Sequence, residues 1–141
     1  MKIVLSIILF FCFEVTLKSQ TNESINCDSA ITQYEMNICA KLAFTKADKE
    51  LNNIYNNILS SFQKSTAENI DTLNFEYYRK IERSFIEAQK KWLEYRDAYC
   101  KVFELKYEGG SLMQLVYYDT MTILTESRIK ELKIFLDELN N

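Results

Sequence analysis

Apolar residues recur at Ala47, Leu51, Ile54, Tyr55, Ile58 and Phe62, in steps of three and four that line one face of a helix. Upstream, Thr32-Gln33-Tyr34-Glu35 has the form of a capping box, in which a threonine oxygen takes an orphan N–H and the glutamate reaches back to the cap. Together these predict a first helix over about residues 32–63. Residues 65–74, rich in Ser, Thr, Asn and Asp, predict the connection, and Ser65-Thr66-Ala67-Glu68 within it offers a second capping box. A second stripe at Ile81, Phe85, Ala88, Trp92, Tyr95, Tyr99 and Val102 predicts a helix that stops at Gly109-Gly110, where a left-handed cap is expected. Ser111-Leu112-Met113-Gln114 opens a third helix, with an apolar face at Leu115, Tyr118, Met121, Leu132, Phe135 and Leu139. A helix stop, two glycines and a helix start in succession predict an antiparallel hairpin. No alternating strand pattern interrupts the series. The expected fold is therefore all-α, an elongated antiparallel three-helix bundle, each helix roughly 42–50 Å long at 1.5 Å per residue.

Composition agrees with long helices: the 141-residue chain has no proline and only two glycines, which disfavours a many-turned β-sandwich or barrel. Histidine is also absent. That removes the usual base near neutral pH, the histidine-dependent nucleophiles and most zinc sites, so neither metal nor cofactor is expected. A formal charge of −3 and a pI near 5.1 exclude the basic face typical of nucleic-acid binders.

The first 19 residues, MKIVLSIILFFCFEVTLKS, read as targeting rather than fold. Lys2 precedes an apolar run over residues 3–13, the length of a signal-peptide core and too short for a membrane span. Leu17 and Ser19 suit a cleavage before Gln20, leaving residues 20–141 as a single secreted or periplasmic domain. Losing Lys2, Glu14 and Lys18 leaves 15 basic residues against 19 acidic ones. Cys12 leaves too, so Cys27, Cys39 and Cys100 remain in an oxidising compartment. In an antiparallel pair the start of helix one meets the end of helix two, which favours a Cys39–Cys100 staple. Cys27–Cys39 and Cys27–Cys100 remain open, since spacing does not select a pairing. The odd thiol either bridges two chains into a dimer or is buried and inert.

Trp92 lies on the apolar stripe of helix two, with Arg96 one turn on and Arg128 one turn from Leu132 on helix three. A buried arginine needs a partner. Arg96, Arg128 and Glu35 are expected to form a charged cluster holding the helices in register, with Asp97 in the cluster or facing solvent. Glu87, Glu94, Asp97 and Glu104 are the carboxylates that a glycosidase pair would require. Their spacing along one helix reads as a solvated face, and no catalytic residue is assigned.

The run Ala88-Gln89-Lys90-Lys91-Trp92-Leu93-Glu94-Tyr95-Arg96-Asp97-Ala98-Tyr99-Cys100 resembles the A-Q-x-x-W-x-x-[YF]-R-D-x-x-C signature of the lysozyme inhibitor LprI-like N-terminal domain family. In the family's order, Thr32-Gln33, Glu35-Met36-Asn37 and Cys39-Ala40 resemble its T-Q-x-E-M-x-x-C-A stretch, and Ala47-Asp48, Leu51-Asn52 and Tyr55 its A-D-x-x-L-N-x-x-Y. Gly109-Gly110-Ser111 matches its hairpin, and Leu124-Thr125, Arg128 and Glu131-Leu132 its last helix. The similarity spans about residues 27–132. Thr120 stands where relatives have a fourth cysteine, so a staple of the relatives is missing here.

The resemblance implies an exported, helical, non-enzymatic envelope protein that binds and inhibits a lysozyme-type muramidase. On that reading Gln89, Trp92, Arg96, Asp97, Arg128 and Glu35 form the structural motif. The candidate binding feature is the hairpin tip, Tyr107, Glu108, Gly109 and Gly110, with the polar connection at 65–74 as a second exposed element. An acidic protein approaching a basic lysozyme also gains encounter rate. The alternative is an envelope interaction module of the same fold that leaves muramidases unaffected.

Overall fold

In the computed structural model, residues 25–71 and 73–139 are described; the expected signal segment lies outside them. A short 3-10 turn, Cys27–Ser29, leads into three helices: α1 (Gln33–Glu68), α2 (Phe75–Lys106) and α3 (Met113–Leu139). No strand occurs among the described residues. None of their helices is long and apolar enough to cross a membrane.

The start of α1 follows from its cap. Thr32 Oγ1 accepts from the Glu35 backbone N–H at 3.2 Å, and Glu35 Oε2 accepts from the N–H groups of Thr32 at 2.9 Å and Ile31 at 3.1 Å. These bonds favour the ionised form. They hold the Glu35 carboxyl below its ordinary value, the Thr32 backbone N–H contributing most, then the Thr32 side chain and the Ile31 N–H. Glu35 is therefore a cap and not a member of the expected charged cluster.

The far end of α1 departs from expectation. The segment expected as a linker from residue 65 continues the helix to Glu68, so Ser65-Thr66-Ala67-Glu68 lies within its last turns. The helix closes where the Asn69 amide donates to Ser65 O at 2.8 Å and its backbone N–H to Thr66 O at 3.3 Å.

The core is a cluster of Ala47, Leu51, Ile54, Ile58 and Phe62 from α1, Phe85 from α2, and Ile129 and Leu132 from α3. Every position predicted for the apolar face of α1 is in it or, for Tyr55, packed against it. Phe62 meets the rings of Phe85 and Phe135 at 5.5 and 6.0 Å, and Tyr55 stacks on Phe85 at 5.3 Å. Such aromatic pairs add about 0.5–1.5 kcal/mol each beyond the area they bury.

α2 buries only part of the stripe expected: Phe85 enters the core, with Ile81 and Trp92 packed against it. Phe85, Gln89, Arg96 and Cys100 face inward, while Ala88, Tyr95, Tyr99 and Val102 are exposed. The buried line keeps helical spacing but runs through two polar residues, which a hydrophobic pattern cannot register. Each of those two is satisfied by side chains of the neighbouring helices, as described below.

α1 makes its broadest contact with α3, and α2 covers both. Asp48 of α1 meets Arg96 of α2, whereas Phe62, further along α1, meets Phe85, earlier in α2. From α1 to α3 the order is the same in both: Phe44 meets Tyr118 and Phe62 meets Phe135.

Candidate functional site

Two places gather the residues singled out by sequence: the mid-bundle crossing around Arg96, and the end of the molecule where the α2–α3 hairpin lies beside the start of α1.

At the crossing, Arg96 is 7% exposed. Its Nη1 donates to Asp48 Oδ1 at 2.9 Å and to Thr125 Oγ1 at 3.4 Å, and its Nε to Asp97 Oδ1 at 3.1 Å. One guanidinium thus ties α2 to both other helices. Its planar fork suits several acceptors at once, as a lysine would not. The same group lies over the Trp92 ring at 5.3 Å and the Phe44 ring at 5.4 Å. Arg128 of α3 also lies over Trp92, at 5.8 Å, while its Nε donates to Gln89 Oε1 at 3.2 Å and its Nη1 to Glu131 at 2.7 Å. Trp92 is therefore shared by two cations, each contact worth about 0.5–2 kcal/mol according to desolvation.

The structure brings together Gln89, Trp92, Arg96, Asp97 and Arg128 and leaves Glu35 outside. Asp48 is the cluster member that charge reasoning missed. The signal that could have found it is the Ala47-Asp48 pair, one helical turn before Leu51 on the same apolar stripe. Permanently charged guanidiniums held by fixed acceptors are suited to registering helices, not to moving protons.

The cysteines correct another expectation. Cys27 is bonded to Cys39, with Cα atoms 5.5 Å apart, and Cys100 is free and buried. The favoured Cys39–Cys100 pairing does not form. The 3-10 turn folds the N-terminal arm back so that Cys27 reaches the opening turns of α1, while Cys100 lies on the buried line of α2 with Arg96. Burial pushes the Cys100 thiol up to about 11, with Arg96 opposing and Asp97 adding to the rise. For Cys100 to bridge two chains, α2 would have to open. Thr120, at the position of the relatives' fourth cysteine, is half-buried on α3 and returns its hydroxyl to Val116 O at 2.8 Å.

At the hairpin end, α2 stops at Lys106, three residues before the glycines, and the Tyr107 N–H closes it on Phe103 O and Glu104 O. Gly109 has φ +77°, the left-handed conformation that favours glycine. Gly110 N–H donates to Tyr107 O at 3.0 Å, and a Cβ at Gly110 would come within 3.2 Å of that same oxygen. The third helix begins one residue later than a Ser111 cap would require: Val116 N–H bonds Leu112 O at 3.0 Å. Ser111 O instead accepts from the Asn37 amide at 3.4 Å, which ties the hairpin to α1. Glu108, Gly109 and Gly110 are exposed, and Tyr107 is half-buried with Lys106 Nζ 5.4 Å from its ring.

The carboxylates along α2 are engaged locally. Lys91 lies between Glu87 at 3.8 Å and Glu94 at 3.1 Å, Lys101 meets Glu104 at 2.6 Å, and Asp97 holds Arg96. Among the described residues, no group of three His, Cys, Asp or Glu side chains could hold a metal ion.

Comparison with known proteins places the sequence in a family. The chain is 29% identical over 133 residues to an uncharacterized protein of Rhizobium meliloti (strain 1021), covering 94% of each. No solved structure matches. The family described as "Lysozyme inhibitor LprI" matches residues 25–132, from the N-terminal arm to the last buried position of α3. The chain belongs to the lysozyme inhibitor LprI family.

Proposed function

We propose that residues 1–19 are removed on export and that residues 20–141 act in the bacterial envelope, or outside the cell, as a non-enzymatic protein that binds and inhibits a lysozyme-type muramidase. The observation that carries this reading is the family match over residues 25–132. The Cys27–Cys39 disulfide supports it, because such bonds persist in oxidising compartments.

Residues further along α1 meet residues earlier in α2, Asp48 with Arg96 and Phe62 with Phe85, which supports reading the three helices as an elongated antiparallel bundle. In that arrangement one end carries the hairpin tip, the start of α1 and the disulfide. This end is the proposed contact. Tyr107 supplies an aromatic surface and Glu108 a carboxylate on an exposed turn, held in place by Gly109, Gly110 and the Asn37–Ser111 bond. A partner entering a glycan cleft must be narrow, and a helical hairpin is.

The test is lysis of cell walls by a panel of animal and bacterial muramidases in the presence of the exported protein. Slowing at stoichiometric concentration is expected with at least one enzyme. Unchanged lysis across the panel, together with capture of a different envelope protein, would replace this reading with the interaction-module alternative.

A further inference from the structure

Beside the tip, between the last turns of α2 and the first of α3, lies a small cleft of about 260 Å³ lined by Glu104, Met113, Gln114, Tyr117 and Tyr118. It is smaller than the roughly 300–1,000 Å³ of ordinary small-molecule sites. Its size suits a single side chain. It adjoins the tip along the chain: Glu104 on its wall lies three residues before Tyr107, whose N–H bonds the Glu104 carbonyl at 3.3 Å.

The lining has a definite chemistry. Tyr117 and Tyr118 meet edge to face at 5.3 Å, and Tyr118 is backed by the Phe44 ring at 6.0 Å, so the two tyrosines form a braced aromatic wall. Glu104 and Gln114 bring a carboxylate and an amide to the lining. Carboxylates lie nearby, Glu104 with Lys101 as its counter-ion. The Tyr117 hydroxyl is pushed up by burial and then by Asp97, Cys100, Glu104 and Tyr118, and Lys101 feels both Glu104 and Glu108. A ring face and a carboxylate converging on one small space are the two features that hold a guanidinium or ammonium group. An anion would meet Glu104, whereas a cation can share that carboxylate with Lys101.

We propose that this cleft receives one arginine or lysine side chain from a basic muramidase, so that the tip and the cleft form one contact. This proposal rests on the muramidase reading above and adds what the partner must present. Lys101 is its internal competitor, since its ammonium already sits 2.6 Å from Glu104. An incoming cation shares or displaces it. The two neighbours therefore have opposite expected effects: Glu104→Gln weakens binding of a basic muramidase about fivefold or more, and Lys101→Met tightens it.

The cleft can be tested without the enzyme. N-acetylarginine amide and N-acetyllysine amide, titrated into the exported, disulfide-bonded protein, should shift the NMR signals of Gln114, Tyr117 and Tyr118. The norleucine derivative should not, and the shifts should be lost in Glu104→Gln and strengthened in Lys101→Met. Equal shifts with norleucine, shifts located elsewhere, or indifference to both substitutions would overturn the proposal. Two results separate it from the functional reading. Cation binding in the cleft with no muramidase affected sinks the reading and leaves the cleft; inhibition that neither substitution alters sinks the cleft and leaves the reading.

Discussion

The mid-bundle crossing and the hairpin end are built on opposite principles, although both carry family signature residues. At the crossing, Arg96 is buried and its donors go to Asp48, Asp97 and Thr125. At the hairpin end, Glu108, Gly109 and Gly110 are exposed, and the backbone rather than the side chains fixes the shape. The difference teaches where to look for function in a small helical protein. A distinctive motif that satisfies itself inside the fold sets geometry, and recognition falls to the surfaces that this geometry leaves open.

Substitutions should break or sharpen this contrast in order of size. Arg96→Ala would leave Asp48 and Thr125 facing a cavity without their donor and should cost about 3 kcal/mol in urea unfolding, toward the lower end of the range for broken buried pairs because Asp48 is partly exposed. Arg96→Lys should recover only part of this, since an ammonium cannot span the same acceptors. Cys27→Ser opens a loop with a sequence separation of 12. By the chain-entropy model it should cost up to about 3 kcal/mol, and the loss should vanish when both proteins are compared under reducing conditions. Gly109→Ala, at φ +77°, should cost about 1 kcal/mol, read as a lowered thermal midpoint.

The buried thiol gives the crossing an alkaline pH signature, which Cys100→Ala separates from that of Tyr117. Cys100 rises from its ordinary 9.0 to about 11 on folding. Below pH 9 it is protonated in both states and its contribution is fully present. Between about 9 and 11 the unfolded chain ionises first, so stability should fall across that window, and Cys100→Ala should flatten the fall. The smallest structural effect belongs to the tip: Tyr107→Ala with Glu108→Ala should change stability by less than about 0.5 kcal/mol while weakening any muramidase complex. A large loss of stability in that double variant would show that the tip belongs to the framework, and the contrast would collapse.

Much of this contrast was legible in the sequence, unevenly. The capping box at Thr32 and Glu35 and the stripe from Ala47 to Phe62 are local signals, and each occurs as read; Gly109 is left-handed, but in the turn beyond a helix that already ends at Lys106. The buried face of α2 is only partly legible: Phe85 and the buried Arg96 can be read from the sequence, whereas Gln89 cannot. A hydrophobicity pattern assigns such residues to solvent, and only their partners on α1 and α3 make their burial tolerable. The disulfide pairing was left open by the sequence: approaching helix ends favour Cys39–Cys100, whereas the short arm carrying Cys27 folds back on α1 to pair with Cys39. The cleft at Glu104 and Tyr117 was not legible at all, since its lining is assembled from α2 and α3 and neither sequence segment marks it on its own.

The most direct measurement is a titration of muramidase activity by the exported protein, repeated with the Tyr107→Ala, Glu108→Ala double variant. The account predicts that lysis by at least one basic muramidase falls as protein is added and levels off near one equivalent, and that the double variant requires a clear excess for the same effect at unchanged thermal stability. Lysis that continues undiminished past many equivalents across basic and acidic muramidases would contradict it.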